Sequence, residues 1–466
     1  MKKWLNRTRL ALLSSLPVVV FFTNFPLIRL GENSSMYFEI SLPMIWLAIF
    51  DLISLAELGN IFKLFKKHTR LILAACLFAF WCVLSCFWSP NPLRGILTAG
   101  LILAIFYAIL SIFAEIPNKK FLVREAKIFI GTSFTISIFC ILQGFLDVFD
   151  LQNNLLCVGC HYQVLGFPHS NGFAIEPQFM GNLLIAPSIL SLDILYKKIK
   201  SKKGKSWFGF SAITFVQLLA LFICFSRGAI YSFGIAILII ALRDIYHKRY
   251  MRSVIYITTS IIACLGGLLT QGIWAQLSPT SEGFFEGISR SIDQLTLGKI
   301  KPATNNNEVQ VDEVIILTPD GETNDSQFTG YIEESTDIRL TLNADAIETW
   351  SQSPKTMLTG VGLGGAGRAI AEFKQDRGER EIVQNEFISL LLEIGIIGHA
   401  LILWLLFQLI HNRNKRTSIV FWAIVFAYLI SMNFYSGITN VWHIYLFTPV
   451  LYLLPGIRRS KAHMLK

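Results

Sequence analysis

Apolar runs long enough to cross a bilayer recur along almost the whole chain, separated by short polar connections. The hydrocarbon core of a bilayer demands about 20 consecutive, mostly apolar residues per helix. Only helices and closed barrels satisfy every backbone polar group there. The runs are continuous rather than alternating, so they predict helices, at 11–30, 37–58, 71–89, 94–114, 127–149, 178–196, 208–225, 229–242, 253–272, 386–409, 417–434 and 440–455. Composition agrees: 53% of residues are apolar and only 15% charged, against about 25% charge in an ordinary soluble domain. The first run follows Lys2, Lys3, Arg7 and Arg9 as a signal peptide would, but no small-x-small cleavage site comes after it. It reads as an uncleaved first span. The expected fold class is all-α, a polytopic transmembrane helix bundle of about twelve spans.

A net charge of +10 would suit a nucleic-acid partner, but the positions of the charges give it another origin. The N-terminus, 61–70, 115–127, 197–205, 241–252, 411–416 and the C-terminus hold 29 of the 41 Lys and Arg residues. Alternation of the spans puts all these segments on one side, as the positive-inside rule requires of the cytoplasmic face. Both termini are therefore expected in the cytoplasm. The basic excess is topological, and no nucleic-acid partner is expected.

The opposite, periplasmic side carries two long connections, 150–178 and 275–385. The second is locally acidic, with 18 acidic and 9 basic residues over 276–385. It divides the chain into 1–274 with spans 1–9, a periplasmic loop domain at 275–385, and 386–466 with spans 10–12. Within that domain, 302–330 is polar, with a Pro319-Asp320-Gly321 turn, and reads as a loop or small hairpin. Ser281–Leu295 sets Phe284, Phe285, Ile288, Ile292 and Leu295 at helical spacing, which suits a helix on the membrane surface. Thr336–Trp350 sets Ile338, Leu342, Ala346 and Trp350 on one stripe, with Ser335 or Thr336 as the cap. No internal repeat stands out, so an inverted-repeat transporter gains no support.

Two motif matches lack the context their chemistry needs. Cys157-Val-Gly-Cys160-His161 fits the c-type haem attachment pattern, but the 150–178 connection is too short to enclose a haem. A local disulfide or free thiols suit that oxidising side better. Cys76, Cys82, Cys86, Cys140, Cys224 and Cys264 fall within spans and read as small packing residues. Gly360-Val-Gly362-Leu-Gly364-Gly365 fits G-x-G-x-x-G, yet a polar loop precedes it, where a dinucleotide fold needs a strand. Close backbone packing or an anion-binding nest is the better reading. No metal and no cofactor is expected.

Four places carry more chemistry. Phe225-Ser226-Arg227-Gly228-Ala229 puts an arginine where spans seven and eight meet with almost no loop. It is either a snorkelling anchor or an anion clamp. Arg339 lies on the helix that precedes the glycine-rich turn, as a solvated charge or a second clamp. Gln384-Asn385-Glu386-Phe387 opens a span that continues Leu390-Leu391-Leu392-Glu393-Ile-Gly395-Ile-Ile-Gly398, with Glu386 and Glu393 on one face. A buried Glu there must be paired or protonated. Glu176-Pro177 stands at the mouth of the sixth span, where the Glu is a general base or simply a helix start.

Taken in order, these segments resemble the O-antigen ligase/polymerase superfamily of bacterial envelope enzymes. The order is the Glu176-Pro177 segment, Ser226-Arg227-Gly228, then Arg339 and Trp350, the Gly360–Gly365 turn, and Asn385 to Gly398. The resemblance covers roughly residues 160–400. It implies metal-independent glycan transfer on the outer face. The donor is linked to a polyprenyl diphosphate, usually undecaprenyl, and the acceptor is a sugar hydroxyl. Arg227 and Arg339 fall on the family's important arginines, and arginine suits a diphosphate leaving group through bidentate, permanently charged bonds. Ser226, Gly362, Gln384, Asn385 and His169 would line the substrate. Ligases of this family carry His-Asn where this chain has Gln384-Asn385, and glutamine cannot take up a proton. The departure favours a polymerase that joins repeat units of O-antigen, capsule or exopolysaccharide, with a ligase to lipid A-core as the alternative. Glu176 is the first choice of base, Glu386 the second and His169 the third. The implied partners are the lipid-linked donor, a glycan acceptor, membrane lipid and a chain-length regulator. A transporter of lipid-linked sugars is the rival of another class. It would place charges at mid-bilayer, whereas here they cluster at span ends.

Overall fold

The computed structural model describes residues 2–23, 27–30, 38–55, 69–115, 119–149, 163–164, 167–174, 176–201, 206–277, 283–296, 330–375, 377–378, 383–411, 419–435 and 442–453. Cys157, Cys160, His161 and nearly all of 302–330 lie outside them. The regular structure of the described residues is helical apart from two short antiparallel strand pairs, β1 (Leu27–Leu30) with β2 (Phe38–Ser41) and β3 (Gln163–Val164) with β4 (Phe167–Pro168).

Eight described helices are long and apolar enough to cross a membrane. They are α3 (Thr69–Ser85, continued by a 3-10 turn to Trp88), α4 (Pro92–Glu115), α5 (Lys119–Val148), α6 (Pro177–Ser201), α7 (Ser206–Ile223), α8 (Arg227–Tyr246), α9 (Tyr250–Leu277) and α14 (Glu386–His411). They correspond to the third through tenth expected spans. The other four are shorter or displaced. The first helix, α1, covers Lys2–Val19 rather than 11–30, and the chain beyond it enters β1. In the second, residues 38–41 are strand, and α2 (Leu42–Ser54) begins with a proline in its first turn, a place where a missing N–H costs nothing. The eleventh is α15 (Ile419–Ser431), and the twelfth is a 3-10 turn, Trp442–Phe447, followed by α16 (Thr448–Leu453). Pro449 sits in the first turn of that restarted helix.

Between α9 and α14 lie α10 (Phe284–Thr296), α11 (Gly330–Ser351), α12 (Pro354–Thr359) and α13 (Ala366–Lys374). The amphipathic α10 is as expected and packs on α9, where Gly272 and Gly287 allow close contact with Phe284 and Ala275. The helix of Trp350 begins at Gly330, before the expected cap at Ser335 or Thr336. Asp345 on α11 is bound by Arg377 (3.1 Å) and Lys374 (3.6 Å), which ties α13 and the residues after it to α11.

One polar knot joins the membrane helices α5, α6 and α7. The Gln217 amide donates to the Ile130 carbonyl (2.9 Å) and to Ser133, and accepts from Ser191 Oγ (2.5 Å). Such bonds hold spans together where lipid offers no alternative partner.

At the basic end of the bundle, Arg252 opens α9, buried between α6 and α8. Its guanidinium forks onto Asp244, with Nη2 donating to Oδ1 at 2.6 Å, and Nη1 lies 3.8 Å from Asp193. Lys197 also pairs with Asp193. Removing one member of a buried ionic network strands the others. Arg252→Met should therefore destabilise the solubilised protein by about 3–5 kcal/mol, read as a drop in thermal midpoint. An unchanged midpoint would mean that water reaches both aspartates.

Candidate functional site at the mouth of the bundle

The opposite end of the bundle collects the starts of α6, α8 and α14. Pro177 fixes the first turn of α6, and the Glu176 carbonyl accepts from the amides of Phe179 (3.1 Å) and Met180 (3.3 Å). Glu176 therefore stands as the half-buried N-cap, its carboxylate bonded by the Gln178 side chain. Burial pushes this carboxyl above the usual range, while the Gln178 amide and the charge of Arg339 pull it back down. Arg339, on α11, is thus within electrostatic range of the residue that opens α6.

Between α7 and α8 the chain reverses within Cys224–Ser226, with Phe225 in the left-handed region at φ 48°. Ser226 caps α8, accepting from the Ala229 amide at 3.3 Å, and Arg227 is the first helical residue, half-buried. A Cβ on Gly181 would lie 2.9 Å from that of Ala229 and 3.1 Å from that of Ser226, so α6 and α8 begin in contact. Gly228 likewise admits Phe434, which follows α15.

The start of α14 joins them. The Glu386 amide donates to the Met432 carbonyl (2.9 Å), and Asn385 caps the helix through Oδ1 to the amides of Phe387 (3.0 Å) and Ile388 (3.2 Å). Glu386 is buried, and burial raises the Tyr435 phenol above the ordinary tyrosine range, with the nearby Glu386 carboxylate adding to it. Tyr435 bonds Ser431 at 3.0 Å and lies edge-on to Phe179 of α6 at 6.1 Å. His169 is buried behind Phe225, with ring centroids 5.9 Å apart, and desolvation lowers it to about 4, so it is neutral at pH 7. Gln384 is half-buried beside Asn385.

The glycine-rich turn serves another purpose. Helix α14 breaks at Gly395 (φ 64°, ψ −171°), which frees the carbonyls before it. Three of these find partners from elsewhere in the chain. Leu392 accepts from the Val361 amide (2.8 Å), Glu393 from the Gly362 amide (2.9 Å), and Ile394 from Trp81 Nε1 (2.9 Å). The turn then curls around the Glu393 side chain, whose carboxylate accepts from the Gly364 and Ala366 amides, the latter at 3.4 Å, with Arg94 nearby. A nest of backbone amides is present, and the group it holds is the chain's own Glu393 carboxyl. Gly362 is packed against Ser89, and its amide is engaged by Glu393, on the α3–α4 side of the turn.

Glu176 and Arg339 are thus brought within electrostatic reach of each other, and the helix starts bearing Arg227 and Glu386 meet around Phe434 and Met432. Ser226 and Asn385 act as caps, and Gly362 as a backbone contact. Sequence reading passed over Trp81, Ser85, Ser89 and Arg94, which hold the turn from α3 and α4, and Tyr435, which borders Glu386. An indole, a serine and an arginine at span ends give no local signal, because each is common there as an interface anchor.

If Glu176 is the base, activity should fall as pH drops through its carboxyl pKa, which lies above the usual carboxylate value. Arg339 favours the charged form, so Arg339→Gln should move that acidic limb to higher pH, beyond any loss of rate. A limb that stays in place in a kcat/KM profile would detach Glu176 from the chemistry.

In comparison with known families, residues 212–405 fit the family model described as O-antigen ligase. No curated protein matches the chain. The match bears out the resemblance to the O-antigen ligase/polymerase superfamily and implies a membrane enzyme, glycosyltransferase-like, acting on lipid-linked glycans.

Proposed function

We propose that this chain, with its O-antigen ligase region at residues 212–405, is an inner-membrane polymerase that joins glycan repeat units carried on polyprenyl diphosphate at the periplasmic face. The observation that carries the reading is the mouth itself. A carboxylate, Glu176, lies under the influence of one arginine, Arg339, and its helix starts against the helix that a second arginine, Arg227, opens. In the reaction the acceptor hydroxyl attacks the anomeric carbon of the donor. The bond from that carbon to the diphosphate oxygen breaks, and its electron pair leaves on the diphosphate. The hydroxyl proton passes to Glu176. Charge grows on the diphosphate as the bond stretches, and fixed guanidinium groups stabilise that charge more than they stabilise the ground state. No metal is required for this scheme.

Gln384 in place of the family's histidine supports polymerase over ligase, since an amide cannot accept the proton. A transporter finds less support, because the candidate charges gather at one end of the bundle. The test is a gel of surface and lipid-linked glycan from a strain lacking the gene, complemented with wild type or Arg227→Ala. Single repeats in place of long ladders, restored by wild type alone, are expected. Full-length polymer stranded on the lipid carrier would mean ligase. Intermediates trapped on the inner face would mean a transporter.

A further inference from the structure

Two cysteines that read as packing residues in the sequence meet in the structure. Cys140, on α5, and Cys224, at the reversal between α7 and α8, are both fully buried, and the Cys224 thiol is hydrogen-bonded to that of Cys140. The two belong to separate spans, so helix packing alone brings their sulfurs together. Cys82 and Cys86 are neighbours of another kind. They lie one turn apart on a single stretch, and the Cys86 thiol donates to the Cys82 carbonyl at 3.3 Å, so it is directed at backbone.

Three parts of the bundle converge on the Cys140–Cys224 pair. Cys224 opens the reversal that continues through Phe225, at φ 48°, to the cap Ser226 and to Arg227. The Cys140 carbonyl accepts from Ser170 Oγ at 2.6 Å, and a Cβ on Gly172 would lie 3.0 Å from the Cys140 sulfur. The segment 169–174 is thus seated on α5. Gln143 holds it further, donating to Asn171 Oδ1 (2.7 Å) and accepting from the Gly172 amide (3.0 Å). That segment leads to Glu176. A bond between the two sulfurs would join α5, and the approach to α6 that rests on it, to the corner that carries Arg227.

We infer that Cys140 and Cys224 form a peroxide-responsive dithiol site whose disulfide fixes the reversal between α7 and α8. The chemistry is the same whether the chain is a polymerase or a ligase. Full burial shuts a protein oxidant out of the folded chain, whereas hydrogen peroxide is small and neutral and enters through local opening. The same opening hydrates a thiol and lets it ionise, as attack requires. The first sulfur attacks a peroxide oxygen, the O–O bond breaks, and water leaves with the thiol proton, giving a sulfenic acid. The second sulfur attacks the first, the S–O bond breaks, and water leaves with the second thiol proton. Two electrons pass from the thiols to the peroxide, and the S–S bond remains. A partner thiol already in contact captures the sulfenic acid before more peroxide carries it to sulfinic acid.

The experiment treats the solubilised full chain with hydrogen peroxide, denatures it in N-ethylmaleimide and maps its peptides by mass. The peptides of Cys140 and Cys224 should appear cross-linked, two hydrogens lighter than their sum, and dithiothreitol should release both. The same cross-link found before peroxide is added would also support the site, as a bond already closed in the cell. Cys82 and Cys86 should stay separately alkylated. Amide hydrogen exchange over 224–230 should be at least about tenfold slower in the oxidised protein than in the reduced one. Cys224→Ser should lose both the cross-link and that slowing, and Cys140→Ala should do the same from the other partner. Two alkylated thiols after peroxide, or sulfinic acid at either position without the cross-link, would overturn the site. A cross-link that forms but leaves exchange over 224–230 unchanged would overturn its hold on the reversal.

Discussion

Arg227→Ala should slow glycan transfer by about 10²–10³-fold, the loss seen when a preorganised group that stabilises transition-state charge is removed. The fold should survive the change. The cap of α8 is the Ser226 hydroxyl on the Ala229 amide, and the close contacts at this corner are made by Gly181, Gly228 and Phe434, none of which involves the guanidinium. Alanine is also a good residue for the first turn of a helix. Arg227→Lys keeps the charge but loses the planar fork that matches two phosphate oxygens. It should retain more activity than alanine and still fall well short of wild type. The check is the initial rate of chain extension on lipid-linked repeats by purified protein, with the thermal midpoint recorded beside it. A normal rate for the alanine variant would remove Arg227 from the chemistry and leave it as an interface anchor.

Gly395→Ala should destabilise the bundle by at least about 3 kcal/mol. Two costs combine there. The backbone sits at φ 64°, and a non-glycine residue held in such a region costs about 1–3 kcal/mol. The new Cβ would also fall 2.4 Å from the Leu358 carbonyl oxygen and 2.5 Å from the Gly360 nitrogen. Backbone cannot rotate away as a side chain would, so α12 and the glycine turn must move off α14. That movement breaks the bonds from Val361 and Gly362 to the carbonyls of Leu392 and Glu393, and each buried group left unmade costs about 1–3 kcal/mol more. The control is Gly131→Ala in α5, where nothing lies within 4 Å of the added carbon. A helix interior favours alanine there by about 0.5–1 kcal/mol. Thermal midpoints of the two solubilised variants should therefore move in opposite directions. If both moved alike and little, the break in α14 would not be a fixed element of the fold.

The sequence alone determined a membrane bundle and the identity of the groups at its mouth. Hydropathy and helical spacing are local properties, so eight spans and the amphipathic α10 follow from neighbouring residues alone. Glu176-Pro177, Ser226-Arg227 and Asn385-Glu386 could be read as helix starts, since caps also depend on adjacent residues. At 11–30 and 440–455 the described elements differ from the expected spans: α1 covers Lys2–Val19, and a 3-10 turn precedes α16.

Only the tertiary structure decided which groups meet. That Glu176 answers to Arg339, and that the nest of the glycine turn is filled by Glu393, depends on how distant helices pack. The same holds for α3 and α4, which lie outside the matched family region yet supply Trp81, Ser85 and Arg94 to the broken helix. A carboxylate in sequence shows that it must be paired when buried, but not with what. The partner is chosen by long-range packing, which leaves no period or spacing for a sequence to display.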